Sequence, residues 1–343
     1  MSLKESMRCI QLQDQFGIDH LHLTSMPIPS PQSQEVLIRV RAVSLNYRDL
    51  LMIQGQYNPR LTLPFIPCSD AVGEVVALGN DVDTTWTIGD RVLPIFAQNW
   101  LDGAIPNHVL QHTLGGPLAG TVREYMCVPH WALVKAPTGW TDHETSTLNC
   151  AALTAWNALV ELNQLKAGQH VLCIGTGGVS LFAAQIALLL GAEVTVVSRS
   201  EDKILQLQQQ GLKVHHWIHS QTQPQWGRIL RKQGGVDHVI EVGGAQTIEQ
   251  SLKALKAGGS MSLIGVLSGH STDMNLLPIL MRQIKVQGVF VGHKRAFQEM
   301  IHALSLHEIR PFISHTFHFT QAVTAFQHLA QAQHVGKICL KFH

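Results

Sequence analysis

Two patterns of apolar residues divide the chain. Over roughly the first hundred residues, short β-branched runs are broken by Gly and Pro. Residues 35–43 follow a loop carrying Pro27, Pro29 and Pro31, residues 71–78 close in Gly79-Asn80, and residues 91–96 follow Gly89-Asp90. Such runs between frequent turns predict the short strands of a β-rich, barrel-type domain. Residues 98–121 carry Trp100, Pro106, Gly115, Gly116, Pro117 and Gly120 without a period, and read as a long structured loop. From about residue 145 the pattern becomes strand and helix in alternation. Strands are expected at 170–174, 193–197, 236–242 and 260–266, and helices at 150–160, 179–190, 201–210 and 248–255. That alternation predicts a parallel sheet covered on both faces. A helix at 321–330 and a strand at 337–342 close the chain, and returning that strand to the first domain is the economical arrangement.

Composition narrows the class. Hydrophobic residues make up 45% of the 343 positions and charged residues 14%, against roughly a quarter charged in ordinary domains, which excludes a disordered chain, a collagen and a charge-rich coiled coil. A formal net charge of +1 offers no basic field for nucleic acid and no polybasic membrane anchor. No apolar run reaches the ~20 residues of a membrane span, and Met1-Ser2-Leu3-Lys4-Glu5-Ser6 has no apolar core of a secretory signal. The six cysteines (Cys9, Cys68, Cys127, Cys150, Cys173, Cys339) form no CxxC pair, so a soluble protein of the reducing cytoplasm is expected. Among the 20 histidines, His108 with His112 and the group His215, His216 and His219 invite a metal reading. No HExxH-like context frames them, and they read as surface or core residues.

The strongest motif is His170-Val171-Leu172-Cys173-Ile174-Gly175-Thr176-Gly177-Gly178-Val179-Ser180, which places a strand, a glycine turn and an apolar helix in succession. Gly175 permits the tight turn, Gly177 lets the backbone approach a pyrophosphate, and the free N–H groups of the helix start meet the anion. Ser180 stands where GxGxxG has its third glycine, a place that needs a small residue. The next strand reports on the nucleotide. An NAD site carries Asp or Glu at its end, about 20 residues after the first glycine. Here Val196-Val197 leads into Ser198-Arg199-Ser200. Arg199 offers a guanidinium to a 2′-phosphate and Lys203 a second charge, so NADP(H) is the expected cofactor; a solvent-exposed strand-end arginine is the other reading of Arg199.

Ser44-Leu45-Asn46-Tyr47-Arg48-Asp49, Gly73-Glu74-Val75-Val76-Ala77-Leu78-Gly79, Gly89-Asp90-Arg91-Val92, Leu153-Thr154-Ala155-Trp156, the glycine loop, Gly235-Val236-Asp237-His238-Val239-Ile240-Glu241 and Gly336-Lys337 follow one another in an order that resembles the medium-chain dehydrogenase/reductase superfamily nearly end to end. Within it the chain is most similar to the zinc-free quinone oxidoreductase and enoyl reductase branch, which includes alcohol dehydrogenase-like proteins. The resemblance implies an α/β protein: a GroES-like β-barrel-type catalytic domain, 1–130 completed by 288–343, and a Rossmann domain with a doubly wound parallel sheet at 131–287. It also implies a homodimer paired through the Rossmann domains. The zinc enzymes place a Cys where this chain has Asn46 and a Gly-His-Glu where it has Cys68-Ser69-Asp70, and 98–121 holds none of the four cysteines of a structural zinc lobe. Neither ligand set is kept, so no metal is expected.

Without a Lewis acid, hydride addition is easiest where the resulting anion is delocalised, as in a quinone or an α,β-unsaturated carbonyl. The resemblance puts Asn46 near the nicotinamide, its amide orienting the substrate oxygen. Tyr57 matches a proton donor of some enoyl reductases; a loop aromatic packed on the surface is the equal alternative. Asp49 is read as an acid that fixes the following helix, and the role of Asp70 stays open. Further cofactor contacts by resemblance are Thr154 beside the nicotinamide, Gly178 and Val179 at the pyrophosphate, Val242 at the ribose edge, Gly265 and Val266 at the carboxamide, and Lys337, for which a surface lysine is an equal reading. Where relatives carry a Tyr against the 2′-phosphate, this chain reads His216-Trp217-Ile218. The substrate pocket is expected between the domains, lined by 98–121 and loops near 290–295. The leading expectation is a zinc-independent, NADPH-dependent reductase of a small-molecule quinone or α,β-unsaturated carbonyl substrate such as an enone. A zinc-independent alcohol dehydrogenase or carbonyl reductase is the alternative, and an NADPH-binding sensor or structural protein the non-enzymatic one.

Overall fold

In the computed structural model, which describes residues 5–82 and 85–342, the chain forms two compact units, 1–153 with 292–343 and 154–291. The strand Glu35–Ser44 organises the first unit. Its burial is continuous over residues 36–38, alternates at Arg39 and Arg41, and is continuous again from Ala42 to Ser44, where both faces are covered. It pairs antiparallel with Val72–Leu78, with Tyr125–Pro129 and with the last strand, Lys337–Lys341. Cys339 stands opposite Ser44 in that last pairing, so the end of the chain does return to this sheet. Arg91–Pro94, Leu133–Lys135 and Ile313–His318 complete it.

The first unit extends further along the chain than 130. Leu133–Lys135 pairs with Arg91–Pro94, and helix Asp142–Ser146, capped by Thr141 and Glu144, is tied to the sheet by Arg91 at 2.6 Å from Asp142. Asn149 donates to the carbonyls of Ala71 and Pro94. These bonds keep residues 131–153 on the first sheet, and the chain leaves it only at Leu153. At the other end, Lys285–Gly288 is still a strand of the second sheet, which moves the return point to 292.

The second unit is a six-stranded sheet, entirely parallel. Its order is His216–His219, Glu193–Ser198, His170–Ile174, Val236–Glu241, Leu255–Leu263, Lys285–Gly288. In chain order within the unit this is 3-2-1-4-5-6, the Rossmann arrangement, whose strand order reverses beside the first strand and leaves a binding crevice at the strand C-termini. The expected strand 260–266 instead occupies Leu255–Leu263, which leaves Gly265 and Val266 in the loop beyond it. The helix expected at 150–160 is a mixed element: wide π turns at Leu148–Ala152 and Asn157–Leu162 flank one α turn, Leu153–Trp156. Residues 98–121 are irregular, as read, apart from a 3₁₀ turn at Val109–His112 and isolated bridges Ala97–Thr113 and Leu114–Leu118.

Candidate active site

In the first unit, polar groups collect where Glu35–Ser44 ends. Asn46 is extended (φ −120°, ψ 152°) and starts helix Tyr47–Ile53. Its backbone N–H donates to Asp49 Oδ2 at 2.8 Å, so Asp49 fixes the helix start, the role read from the sequence. Asp49 is fully buried, and burial together with the negative charge of Asp70 pushes its carboxyl up to about 7 against the pull of Arg48. Asp70 is also fully buried. It accepts from Ser44 Oγ at 2.8 Å and Ser69 Oγ at 3.1 Å; burial raises its pKa, opposed by the ammonium of Lys337.

Lys337 is no surface lysine: 4% of it is exposed. Its Nζ donates to the Leu45 carbonyl at 2.6 Å and to Asn46 Oδ1 at 2.5 Å, and lies 3.7 Å from Asp70 Oδ2. Sequence alone leaves the role of Asp70 open; in the structure it is the counter-charge of Lys337. Cys68 holds φ 71°, a left-handed conformation that favours glycine. Burial pushes the Cys150 thiol up to about 12, with Asp70 adding to the shift.

Arg48 is quoted in the sequence only as part of a motif, without a role. Its guanidinium donates to the carbonyls of Leu114, Gly115 and Gly116, pinning the irregular segment to the helix, and stacks on Phe96 at 4.9 Å and Tyr57 at 5.1 Å. Tyr57 is 47% exposed, its ring resting on Arg48. No local pattern announces Arg48, because its hydrogen-bond partners lie more than 60 residues away.

In the second unit, Gly175 has φ 82° and its N–H closes onto the Val197 carbonyl at 2.7 Å, a conformation that favours glycine. Gly177 is the N-cap of helix Gly178–Leu189, and no side chain caps that end. A Cβ built on Gly177 meets no atom within 4 Å. The loop thus presents the N–H groups of Gly178 and Val179 beside open space, a fit to a pyrophosphate. Ser180 is buried and donates Oγ–H to the Ile174 carbonyl at 2.6 Å, which explains how serine fills the third glycine position without a stranded hydroxyl.

At the end of the second strand, Ser198 Oγ is exchanged with the Ser200 backbone, and Ser200 caps helix Glu201–Gln209 by accepting from the Lys203 N–H. Arg199 is exposed. Burial and the Arg199 charge both lower the pKa of Lys203, so two cations share this corner, a fit to a second anionic group.

A further residue anchors the loops after the fourth and fifth strands. Glu241, quoted in the sequence only as part of a motif, is fully buried and accepts from Gly243 N at 2.7 Å, Gly244 N at 3.1 Å, Thr247 Oγ at 2.6 Å and Ser251 Oγ. Its backbone carbonyl receives Gly265 N, and the Val242 carbonyl receives Leu267 N. Val242, Gly265 and Val266 therefore stand together, with Val266 42% exposed. Thr154, 3% exposed, lies in the α turn between the two π turns.

The histidine group is engaged locally: His215 accepts from Val194 N, His216 meets Glu193, and His219 meets the Arg199 carbonyl. Among the described residues, no group of three or more His, Cys, Asp or Glu is arranged to hold a metal ion.

Comparison with known proteins agrees with this architecture. Residues 32–138 match the alcohol dehydrogenase GroES-like domain and residues 178–305 the zinc-binding dehydrogenase domain. The chain is 38% identical to a zinc-type alcohol dehydrogenase-like protein of Schizosaccharomyces pombe, over 95% of its own length and 96% of that protein. It is 30% identical to an acryloyl-coenzyme A reductase of Metallosphaera sedula, over 91% and 93%. A crystal structure of a putative alcohol dehydrogenase from Sinorhizobium meliloti 1021 superposes with a TM-score of 0.91 at 37% identity, covering 99% of this chain and 100% of that one. A GroES-like unit completed by the chain's end and a nucleotide fold with this glycine loop define a class, and the chain belongs to the medium-chain dehydrogenase/reductase superfamily. It is an oxidoreductase of that superfamily.

Proposed function

We propose that the chain is an NADPH-dependent reductase of activated alkenes, quinones or α,β-unsaturated carbonyl compounds, working without a resident metal. The observation that carries this reading is the donor set around Asn46: an amide and a buried ammonium occupy the region where zinc relatives keep a metal-binding cysteine. Amide and ammonium N–H groups steady an oxyanion; they do not ligate a Lewis acid.

In this reading Gly175, Gly177, Gly178 and Val179 hold the pyrophosphate, and Ser198, Arg199 and Lys203 hold the 2′-phosphate. Val242, Gly265, Val266 and Thr154 bound the remainder of the dinucleotide. The bound reduced nicotinamide supplies a hydride. Asn46 donates to the substrate oxygen as the enolate or phenolate charge develops there, and the Tyr57 phenol returns a proton. The acryloyl-coenzyme A reductase relative supports the activated-alkene class. The alcohol dehydrogenase names of the other two relatives favour a second reading, reversible reduction of a plain carbonyl. The same family resemblance proposes a homodimer, and the scattered cysteines, with no CxxC pair, propose a cytoplasmic setting.

The test is NADPH consumption, read by its ultraviolet absorbance with a chelator present, against an ortho-quinone, an enone, an enoyl thioester and the matching saturated aldehyde. Turnover of the conjugated acceptors alone is expected; equal turnover of the aldehyde puts the second reading first. Replacing Arg199 by Ala is expected to lower kcat/KM for NADPH by about tenfold or more and leave NADH nearly unchanged, since it removes a charge only the 2′-phosphate meets.

A further inference from the structure

We infer that Lys337 is a positioning residue that sets which edge of the Asn46 amide is offered to the substrate, with Asp70 as its anchor. The inference rests on the reading of Asn46 as the group that steadies the substrate oxygen, and it assigns Lys337 a role other than cofactor contact.

The argument begins with what an ammonium can do. It has three hydrogens and no acceptor. Lys337 Nζ has three oxygen neighbours: the Leu45 carbonyl, Asn46 Oδ1 and, at the longer distance of 3.7 Å, Asp70 Oδ2. An amide can meet such a group only through its oxygen. The orientation of Asn46 is therefore dictated, with Oδ1 towards Lys337 and the NH₂ edge turned elsewhere. That edge helps to hold Asp70 negative, yet Nδ2 is buried and has no acceptor at hydrogen-bonding geometry. A free asparagine can flip by half a turn and present oxygen, which repels an oxyanion. With Lys337 in place the flip sets Nδ2 against an ammonium, donor against donor, and is forbidden. The charge behind Oδ1 also polarises the amide and strengthens its N–H donors.

The ammonium stays in place because its surroundings are rigid. Asp70 is fixed by Ser44 and Ser69. Lys337 opens the strand that pairs with Glu35–Ser44, and Leu45 N donates to the Ile338 carbonyl at 2.9 Å. The sheet register therefore delivers Lys337 to Asn46 across 291 positions of sequence. A buried ion pair adds little stability over apolar residues of equal volume, so holding the amide is the use that this geometry explains.

The experiment takes the intact protein and the conjugated acceptor it reduces. Lys337→Met is made together with Asp70→Asn, so that no lone charge is left buried, and this pair is combined with Asn46→Ala in a double-mutant cycle. Three quantities are read: kcat and KM for the acceptor, the Kd of NADPH by fluorescence, and the melting temperature. The pair variant is expected to lose about tenfold or more in kcat while the NADPH Kd moves less than about threefold. On the Asn46→Ala background the same pair is expected to cost less than about threefold further, because Lys337 acts through a side chain no longer present.

Independent, multiplying losses overturn the inference, as does an unchanged kcat. A Kd raised by about tenfold with kcat kept assigns Lys337 to the cofactor and likewise overturns it. If the pair variant does not fold, Lys337→Gln with Asp70→Asn keeps polar atoms in place while removing the donor-only constraint, and is judged by the same outcomes. Full activity in Asn46→Ala, or no turnover of conjugated acceptors by the natural protein, defeats the functional reading itself and is seen before the cycle is built.

Discussion

Asp49 and Gly177 show how a single position carries a prediction. Asp49 keeps its proton in the folded state up to about pH 7, whereas its ordinary value is 3.8. Between these values the folded chain holds a proton that the unfolded chain has released, so stability from this group is full below pH ~4 and is lost as pH rises towards ~7. Asp49→Asn keeps an acceptor for the Asn46 N–H and removes the titration. Its melting temperature relative to the natural protein is expected to climb from pH 4 to 7 and stay level above, in melts taken across that range. A gap independent of pH would contradict the assignment. At Gly177 the backbone is ordinary (φ −82°, ψ 177°) and the space beside it is open. Gly177→Ala is therefore expected to leave the melting temperature unchanged and to weaken NADPH binding by about tenfold or more, measured by fluorescence titration. Loss of stability without loss of affinity would mean the space serves packing.

At the level of elements, the two loops that follow Val236–Glu241 and Leu255–Leu263 act as one piece. The Glu241 carboxylate gathers four donors, and the loops then bond each other through Ser268 N to the Gly243 carbonyl and Ala245 N to the Gly269 carbonyl. Glu241→Ala strands those donors in a buried place, and a loss of about 3 kcal/mol or more is expected in denaturant unfolding. Glu241→Gln, with its amide oxygen at the Oε1 place, keeps the contacts of Gly243, Gly244 and Thr247 at best, and its loss should fall between zero and that of the alanine variant. A loss under ~1 kcal/mol for the alanine variant would show that water replaces the carboxylate. The π turns on either side of Thr154 belong to the same scale, since wide turns often mark positions where a helix is shaped for function.

For the whole molecule, the second sheet leaves one edge uncovered. Lys285–Gly288 is exposed along its length, and Leu276, Leu277, Leu280 and Met281 beside it are 61–75% exposed. An open strand edge next to an apolar helix is a place for further pairing, and a net charge of +1 sets up little repulsion between copies. The homodimer proposed from the family resemblance is expected to use this surface. Light scattering coupled to gel filtration should find a dimer for the natural protein and a monomer for Leu280→Glu with Met281→Glu. A natural protein that is monomeric at tens of micromolar, or a variant that remains dimeric, rejects this surface.

What the sequence determined by itself was local. Glycine spacing, β-branched runs and the absence of an acid after Val197 are read within ~20 residues of chain, and they marked the glycine loop, the parallel sheet and the Arg199 corner. Ser180 and Cys68 could be seen as departures from a pattern, though not how the chain accommodates them. The tertiary structure decided what depends on register. Lys337 meets Asn46 because the last strand pairs with Glu35–Ser44 at one alignment, Arg48 reaches Leu114 because a loop folds back, and Asp70 became a counter-charge only when both neighbours arrived. A one-residue slip of the last strand would have turned Lys337 to the other face. Contacts of that kind are made by the alignment of distant strands, and no short stretch of sequence contains them.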